Sequence, residues 1–291
     1  MPDRPVIRNR QHALVDRLRQ LGRKRTADDP AVLLDGWHLV ADALAAAARL
    51  DAVVFSTEVA ERPEACALAR ACDAAAVPVF VARPSVFEAI SPSAAPSGVV
   101  AMGRRPEWTL AHTAVPVPGL VFVAVEVQDP GNLGAIVRVA DAAGGTGVVA
   151  AGSGADPFGW KALRGAMGSV FRLPVVRVPR PGVAIAGLRV TGLRVLAAAA
   201  RDAVPIEEAD LRGPVAIVLG NEGAGLPPEV AAEADARLAI PMRPGVDSLN
   251  VATAAAVIAY EARRQRKRPA EPGRRSGGAD RHATTMTPPA D

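Results

Sequence analysis

Aromatic residues are scarce, at 3% of a 291-residue chain, while Ala, Gly, Pro and Arg abound. A high-GC coding bias accounts for that skew without reference to function. Cysteine is nearly absent. Cys66 and Cys72 stand in "CALARAC" with no second pair and no neighbouring histidine. On a helix this spacing puts them on roughly opposite sides, so neither a disulfide nor a metal site is expected, which fits a reducing cytoplasm. No run of about 18 apolar residues is free of charges and of Gly or Pro breaks, so no transmembrane helix is expected. The basic N-terminus lacks the apolar stretch of a signal peptide. A Walker A loop is also missing, since no glycine loop runs into Lys-Ser or Lys-Thr. "GSGADPFG" and "GNEGAG" have the wrong spacing for a dinucleotide loop, and a lone Gly-rich loop is a weak signal.

What is present describes a globular protein, 49% apolar and 22% charged. The net charge of +4 says little about a polyanionic partner, but its distribution says more. Between Met1 and Arg25 stand eight basic residues, among them Arg17, Arg19, Arg23, Lys24 and Arg25, against Asp3 and Asp16. A second cluster comprises Arg263, Arg264, Arg266, Lys267 and Arg268. Basic segments at both ends of a folded body suit phosphate contacts, and each alone is equally a solvated surface.

Three zones separate along the chain. Residues 1–103 alternate helical stripes such as "QHALVDRLRQLG" with short apolar strands such as "AVLLD" and "LDAVVFS". That alternation implies a small α/β/α layered domain. A linker over 104–118 carries prolines and no clean period. Residues 119–268 read as a second α/β domain, in which continuous apolar strands such as "LVFVAVEV" end in polar or Gly-rich loops. Such strands are those that parallel sheets bury on both faces. Ligands bind beyond their carboxyl ends. Residues 269–291, rich in Pro, Gly, Ser and Thr, read as a disordered tail.

Three loops at strand ends hold the candidate site: "DPGNLGAIVR", "GNEGAG" and "IPMRPGVDSLN". Each has a bland reading. Asn132 could cap the helix expected over residues 135–144, Arg138 could snorkel from an apolar face, and Glu222 could be a dipole-stabilising anion. Ser248 and Asn250 could cap the last helix. Their joint order and spacing resembles the SpoU/TrmH group of RNA ribose 2′-O-methyltransferases, in the wider SPOUT class. The first motif stands as Asp129, Pro130, Asn132, Gly134, Arg138 and Ala140. The second is Leu219, Gly220, Glu222 and Gly225. The third is Ile240, Pro241, Met242, Ser248, Leu249, Asn250 and Val251. The N-terminal zone is similar, more loosely, to the L30e-like substrate-binding domain attached to this family. Asp35 replaces the usual Glu there, and Ala166 stands where relatives carry Ser.

The resemblance implies a C-terminal domain tied in a deep trefoil knot, a rare exception to unknotted topology. It implies S-adenosylmethionine held around Leu219, Gly220, Ile240, Met242 and Leu249, and a homodimer through the C-terminal domain. The activating role falls to Arg138 helped by Asn132, with Glu222, Ser248 and Asn250 positioning Arg138 and the ribose. A free guanidinium is a poor base, its pKa lying above about 12, so Arg138 is read as an electrostatic activator that binds the adjacent phosphate. Arg17, Arg19, Arg23, Lys24 and Arg25 would meet RNA, with 23S-type rRNA favoured over tRNA. A non-catalytic RNA-binding paralogue and an assembly factor are the other classes; the second would bind no S-adenosylmethionine.

Overall fold

The computed structural model describes residues 4–23, 25–200 and 202–267. Lys24, Arg268 and the segment expected to be a disordered tail lie outside them. The first unit strings together β1 (Val6–Ile7), α1 (Ala13–Arg23), β2 (Ala31–Asp35), α2 (Trp37–Ala45), β3 (Leu50–Ser56), α3 (Pro63–Ala74), β4 (Val79–Ala82), α4 (Pro84–Ile90) and β5 (Val99–Arg104). Its sheet runs β1-β4-β3-β5-β2, with β5 antiparallel to both neighbours. Helix α1 buries Val15, Leu18 and Leu21, the stripe visible in the sequence. Two-residue β1 and the extension of β5 to Arg104 are additions the pattern did not carry.

The stretch read as an irregular linker holds a short helix, α5 (Leu110–Thr113), capped by Thr109. The second unit follows as β6 (Leu120–Val125), α6 (Pro130–Ala143), β7 (Gly147–Ala151), α7 (Trp160–Ala166), a 3-10 turn at Ser169–Phe171, β8 (Val175–Val178) and α8 (Pro181–Val190). It continues through β9 (Arg194–Ala198), β10 (Val204–Pro205), β11 (Val215–Leu219), α9 (Pro228–Ala232), β12 (Ala236–Ala239) and α10 (Val251–Lys267). Seven parallel strands lie in the order β10-β12-β9-β11-β6-β7-β8. From β6 the chain winds outward through β7 and β8, then crosses back to build the other half. The order therefore reverses between β6 and β11, and a crevice opens at such a switch point. Leu219 pairs with Ala124, so the loops leaving β6 and β11 start side by side.

Both faces of this sheet are covered. Val121, Val123 and Val218 pack on α8 through Ile185 and Leu188, while Phe122, Ile217 and Leu219 face α6 and α10 through Ile136, Ala255 and Ile258. Gly134 of α6 and Gly165 of α7 let two helix backbones touch. A Cβ on Gly134 would lie 2.3 Å from the Ala162 carbonyl oxygen. Core residues of the two units share one apolar cluster, Val32 and Leu34 together with Leu163 and Ile136. Cys66 and Cys72 are both free, and burial pushes the Cys72 thiol up to about 11.

Candidate active site

The polar loop expected before α6 is instead its first turn. Pro130 presets the helical φ at the first position, and Asp129 is the cap, its Oδ1 accepting from the Asn132 amide at 2.8 Å. Asn132 is thereby relieved of capping and free to face the crevice. At its other end α6 stops at Gly144, left-handed at φ 84°, as the sequence implied.

Glu222 reaches across from the loop after β11. Its Oε1 accepts from the Asn132 side-chain amide at 3.0 Å and the Asp129 backbone N–H at 3.2 Å. Its Oε2 accepts from the Gln128 N–H at 3.1 Å. Partial burial opposes ionisation of Glu222. The hydrogen bonds from Asn132, its own N–H, Gln128 and Asp129 outweigh that, so its pKa falls below the ordinary 4.5. Asn250 closes the circuit. Its Nδ2 donates to Asn132 Oδ1 at 3.0 Å, while its Oδ1 accepts from the amides of Ala252 and Thr253 and so caps α10. One residue from each motif is thus stitched into a single chain, Glu222–Asn132–Asn250. Both ends of the Asn132 amide are spent, which fixes the assignment of its oxygen and nitrogen.

Asn221 belongs to the same construction. Its Nδ2 donates to the Glu126 carbonyl at 2.9 Å, and its Oδ1 accepts from Gly223 and Ala224. Asn in a Gly-rich turn commonly bonds its own backbone two residues on, and that was the available signal for it. Glu126, held at a left-handed φ of 52°, marks where β6 bends into the crevice.

Beside this network lies a cleft of about 220 Å³, walled by Leu219, Gly220, Leu238, Ile240, Met242 and Leu249, with Asn221, Glu222 and Ser248 at its polar margin. A Cβ on Gly220 would sit 2.4 Å from the backbone of Gly225 and Leu226, so only glycine lets the loop close there. Apolar plates with a polar rim fit a nucleoside, and all five residues expected to hold the cofactor line the same cleft.

Two expectations do not hold as stated. Arg138 is exposed and does not join the network. Six residues after Asn132, it turns away from the crevice into a groove with His38 and Arg172. Glu222 and Asn250 therefore position Asn132 rather than Arg138, and Ser248 makes no hydrogen bond to either. The basic N-terminal residues also divide. Arg19 and Arg23 line a surface groove with Arg10. Arg17 instead pairs with Asp29 at 2.7 Å. Arg25, its side chain only 3% exposed, pairs with Asp156 of the second unit and with backbone carbonyls of Asp29 and Ala31. Phe158 lies 5.8 Å from the guanidinium of Arg25 and 5.8 Å from that of Arg105. Arg25 joins the two units and is not available to a phosphate. Arg266 is likewise turned inward, donating to the carbonyls of Leu211, Pro118, Gly119 and Gly213.

The model of the SpoU rRNA methylase family matches residues 119–260, and that of the RNA 2′-O ribose methyltransferase substrate-binding domain matches residues 33–109. The chain is 32% identical over 231 residues to the 23S rRNA (guanosine(2553)-2′-O)-methyltransferase RlmP of Bacillus subtilis, covering 79% of this chain and 88% of that one. It is 37% identical over 177 residues to the 23S rRNA (uridine(2479)-2′-O)-methyltransferase of Streptomyces viridochromogenes, covering 59% and 62% respectively. The crystal structure of the AdoMet-bound rRNA methyltransferase from Sinorhizobium meliloti superposes with a TM-score of 0.78 at 31% identity, over 89% of this chain and 97% of that one.

Proposed function

We propose, from the premise that this chain belongs to the SpoU family of RNA ribose 2′-O-methyltransferases, that it methylates a ribose 2′-hydroxyl in 23S rRNA. The observation that carries this reading is the Glu222–Asn132–Asn250 chain at the switch point, set against the apolar cleft. Support for 23S rRNA over tRNA comes from RlmP and the Streptomyces enzyme, which are named for it.

S-adenosylmethionine, when bound in that cleft, supplies an electrophilic methyl group on a sulfonium. The protein's task is to present a ribose hydroxyl in line with it and to ease loss of the hydroxyl proton. Asn132, locked by Glu222 and Asn250, is a rigid reference for the ribose. Arg138 lies six residues further along α6, about 9 Å along the axis. Facing the groove rather than the crevice, it holds a neighbouring phosphate and so sets the RNA strand against Asn132, without acting as a base. Leu219, Gly220, Ile240, Met242 and Leu249 grip the cofactor.

The exposed apolar side chains of Val246, Val257 and Tyr260, on the loop before α10 and on α10 itself, support dimerisation through the C-terminal domain. The return of residues 240–250 from β12 to α10, which packs on α6, is the segment we assign to the trefoil knot. Among the described residues no helix is long and apolar enough to cross a membrane, and no cluster of three or more His, Cys, Asp or Glu could hold a metal. The cytoplasm is the proposed compartment. Residues 1–103, 104–118 and 119–268 are the proposed substrate-binding domain, linker and methyltransferase domain.

The test is transfer of labelled methyl from S-adenosylmethionine to deproteinised bacterial RNA, separated into 23S, 16S and tRNA, with alkali-resistant linkages mapped. Label in 23S rRNA supports the reading; label confined to tRNA overturns the substrate. Arg138→Ala is expected to abolish transfer while leaving S-adenosylmethionine affinity, measured by calorimetry, within about two-fold; surviving turnover would refute the role given to Arg138.

A further inference from the structure

The groove into which Arg138 turns lies between the two units. His38 and Asp42 of α2 form one wall. Arg138 and Asp141 of α6, with Ser169 and Arg172 beyond α7, form the other. It encloses about 360 Å³, ample for one nucleotide. Its polar groups are unequally committed. Arg172 is paired with Asp141 at 2.8 Å. The side chains of His38, Asp42 and Arg138 make no hydrogen bond or ion pair with any described residue. Three polar side chains, of two origins in the chain, thus point unspent into one space.

The walls are also fixed relative to each other. Gly168, left-handed at φ 79°, brings the segment after α7 so close to α2 that a Cβ there would lie 2.4 Å from that of Asp42. The Arg25–Asp156 pair and the shared apolar cluster hold the same junction. A groove built this way is a preformed site rather than a gap between loose bodies. Its mixed signs select the ligand. A bare anion would meet Arg138 and Arg172 but be repelled by Asp42 and Asp141. A nucleotide satisfies both, because its phosphate accepts from arginine while the amino group of a base donates to a carboxylate. Sequence-specific proteins read single-stranded RNA in this way, through bases splayed from the stack.

We propose that this groove seats a nucleotide flanking the methylated one, its phosphate on Arg138 and Arg172 and an amino-bearing base against Asp42 and His38. The proposal rests on the methyltransferase reading. It adds a specificity site at the domain junction, about two helical turns from Asn132. The target nucleotide would then be chosen partly by its neighbour.

His38→Ala and Asp42→Ala test it, with binding of 23S rRNA measured by filter retention in the absence of S-adenosylmethionine and turnover measured separately. Each variant is expected to weaken RNA binding and raise KM roughly ten-fold, the loss of about one base contact. kcat should stay within about two-fold and S-adenosylmethionine affinity should not change. Guanosine monophosphate added at millimolar concentration should compete for RNA with the wild-type protein and not with Asp42→Ala. Unchanged RNA affinity in both variants overturns the proposal, whether or not methyl transfer occurs. Should Asp42→Ala unfold the junction, the exposed His38→Ala decides alone. Binding lost with no turnover in the wild type would fault the enzymatic reading and leave the groove intact.

Discussion

At the scale of single residues, the site depends on one carboxylate being charged. Glu222 accepts from the side chain of Asn132 and from the N–H groups of Gln128 and Asp129. Glu222→Gln keeps the shape but sets an amide N–H₂ against those donors, so Asn132 loses its fixed orientation. Turnover should fall roughly 10²-fold, the cost of a small misplacement at a reacting centre, with S-adenosylmethionine affinity little changed. Turnover within a few-fold of wild type would remove Glu222 from the positioning chain. The pH dependence has a definite sign. The folded-state pKa is depressed, so the stabilisation from Glu222 is complete above the ordinary 4.5 and is lost as pH falls through the lower folded value. In acid titrations followed by circular dichroism, Glu222→Gln should therefore flatten the dependence below that point and leave it unaltered near neutrality.

At the scale of elements, α6 is the pivot, because it carries Asn132 at its start, Arg138 at its middle and Gly134 against α7. Gly134→Ala would force a methyl into the Ala162 carbonyl, 2.3 Å away, and the two helices would have to part. Overpacking of this kind costs about 1–3 kcal/mol. Thermal unfolding should show that loss together with reduced activity; an unshifted midpoint would mean the helices can slide. Strands β2, β6, β7 and β11 were legible as apolar runs because burial on both faces leaves no alternation to confuse. The start of α6 was not, because Asp129 and Asn132 are both good caps and only the fold shows which one bonds the helix. β1 and β10, two residues each, carry no period at all. The motif order identified the crevice. The basic residues misled for a different reason: Arg25 and Arg266 look like surface cations until their partners, 131 and up to 148 residues distant, are known.

At the scale of the whole molecule, the two units are joined by one apolar cluster and by the Arg25–Asp156 pair. Asp156→Ala would leave Arg25, 3% exposed, without its opposite charge. Removing one partner of a buried pair costs several kcal/mol; the partial exposure of Asp156 reduces this to about 2–3 kcal/mol. Urea unfolding should become biphasic as the N-terminal unit releases first; a single transition at the wild-type midpoint would show that the apolar cluster alone holds the junction. The end of α10 has a further bearing. Gln265 and Arg266 fasten the last described turn to residues 209–213 and to the residues leading into β6. Asn250, at the head of the same helix, completes the polar chain through Asn132. A nascent polypeptide whose α10 is still inside the ribosomal tunnel lacks both fastenings. The polar chain at the crevice would therefore close only once α10 has emerged and docked, however much of the protein has folded before it.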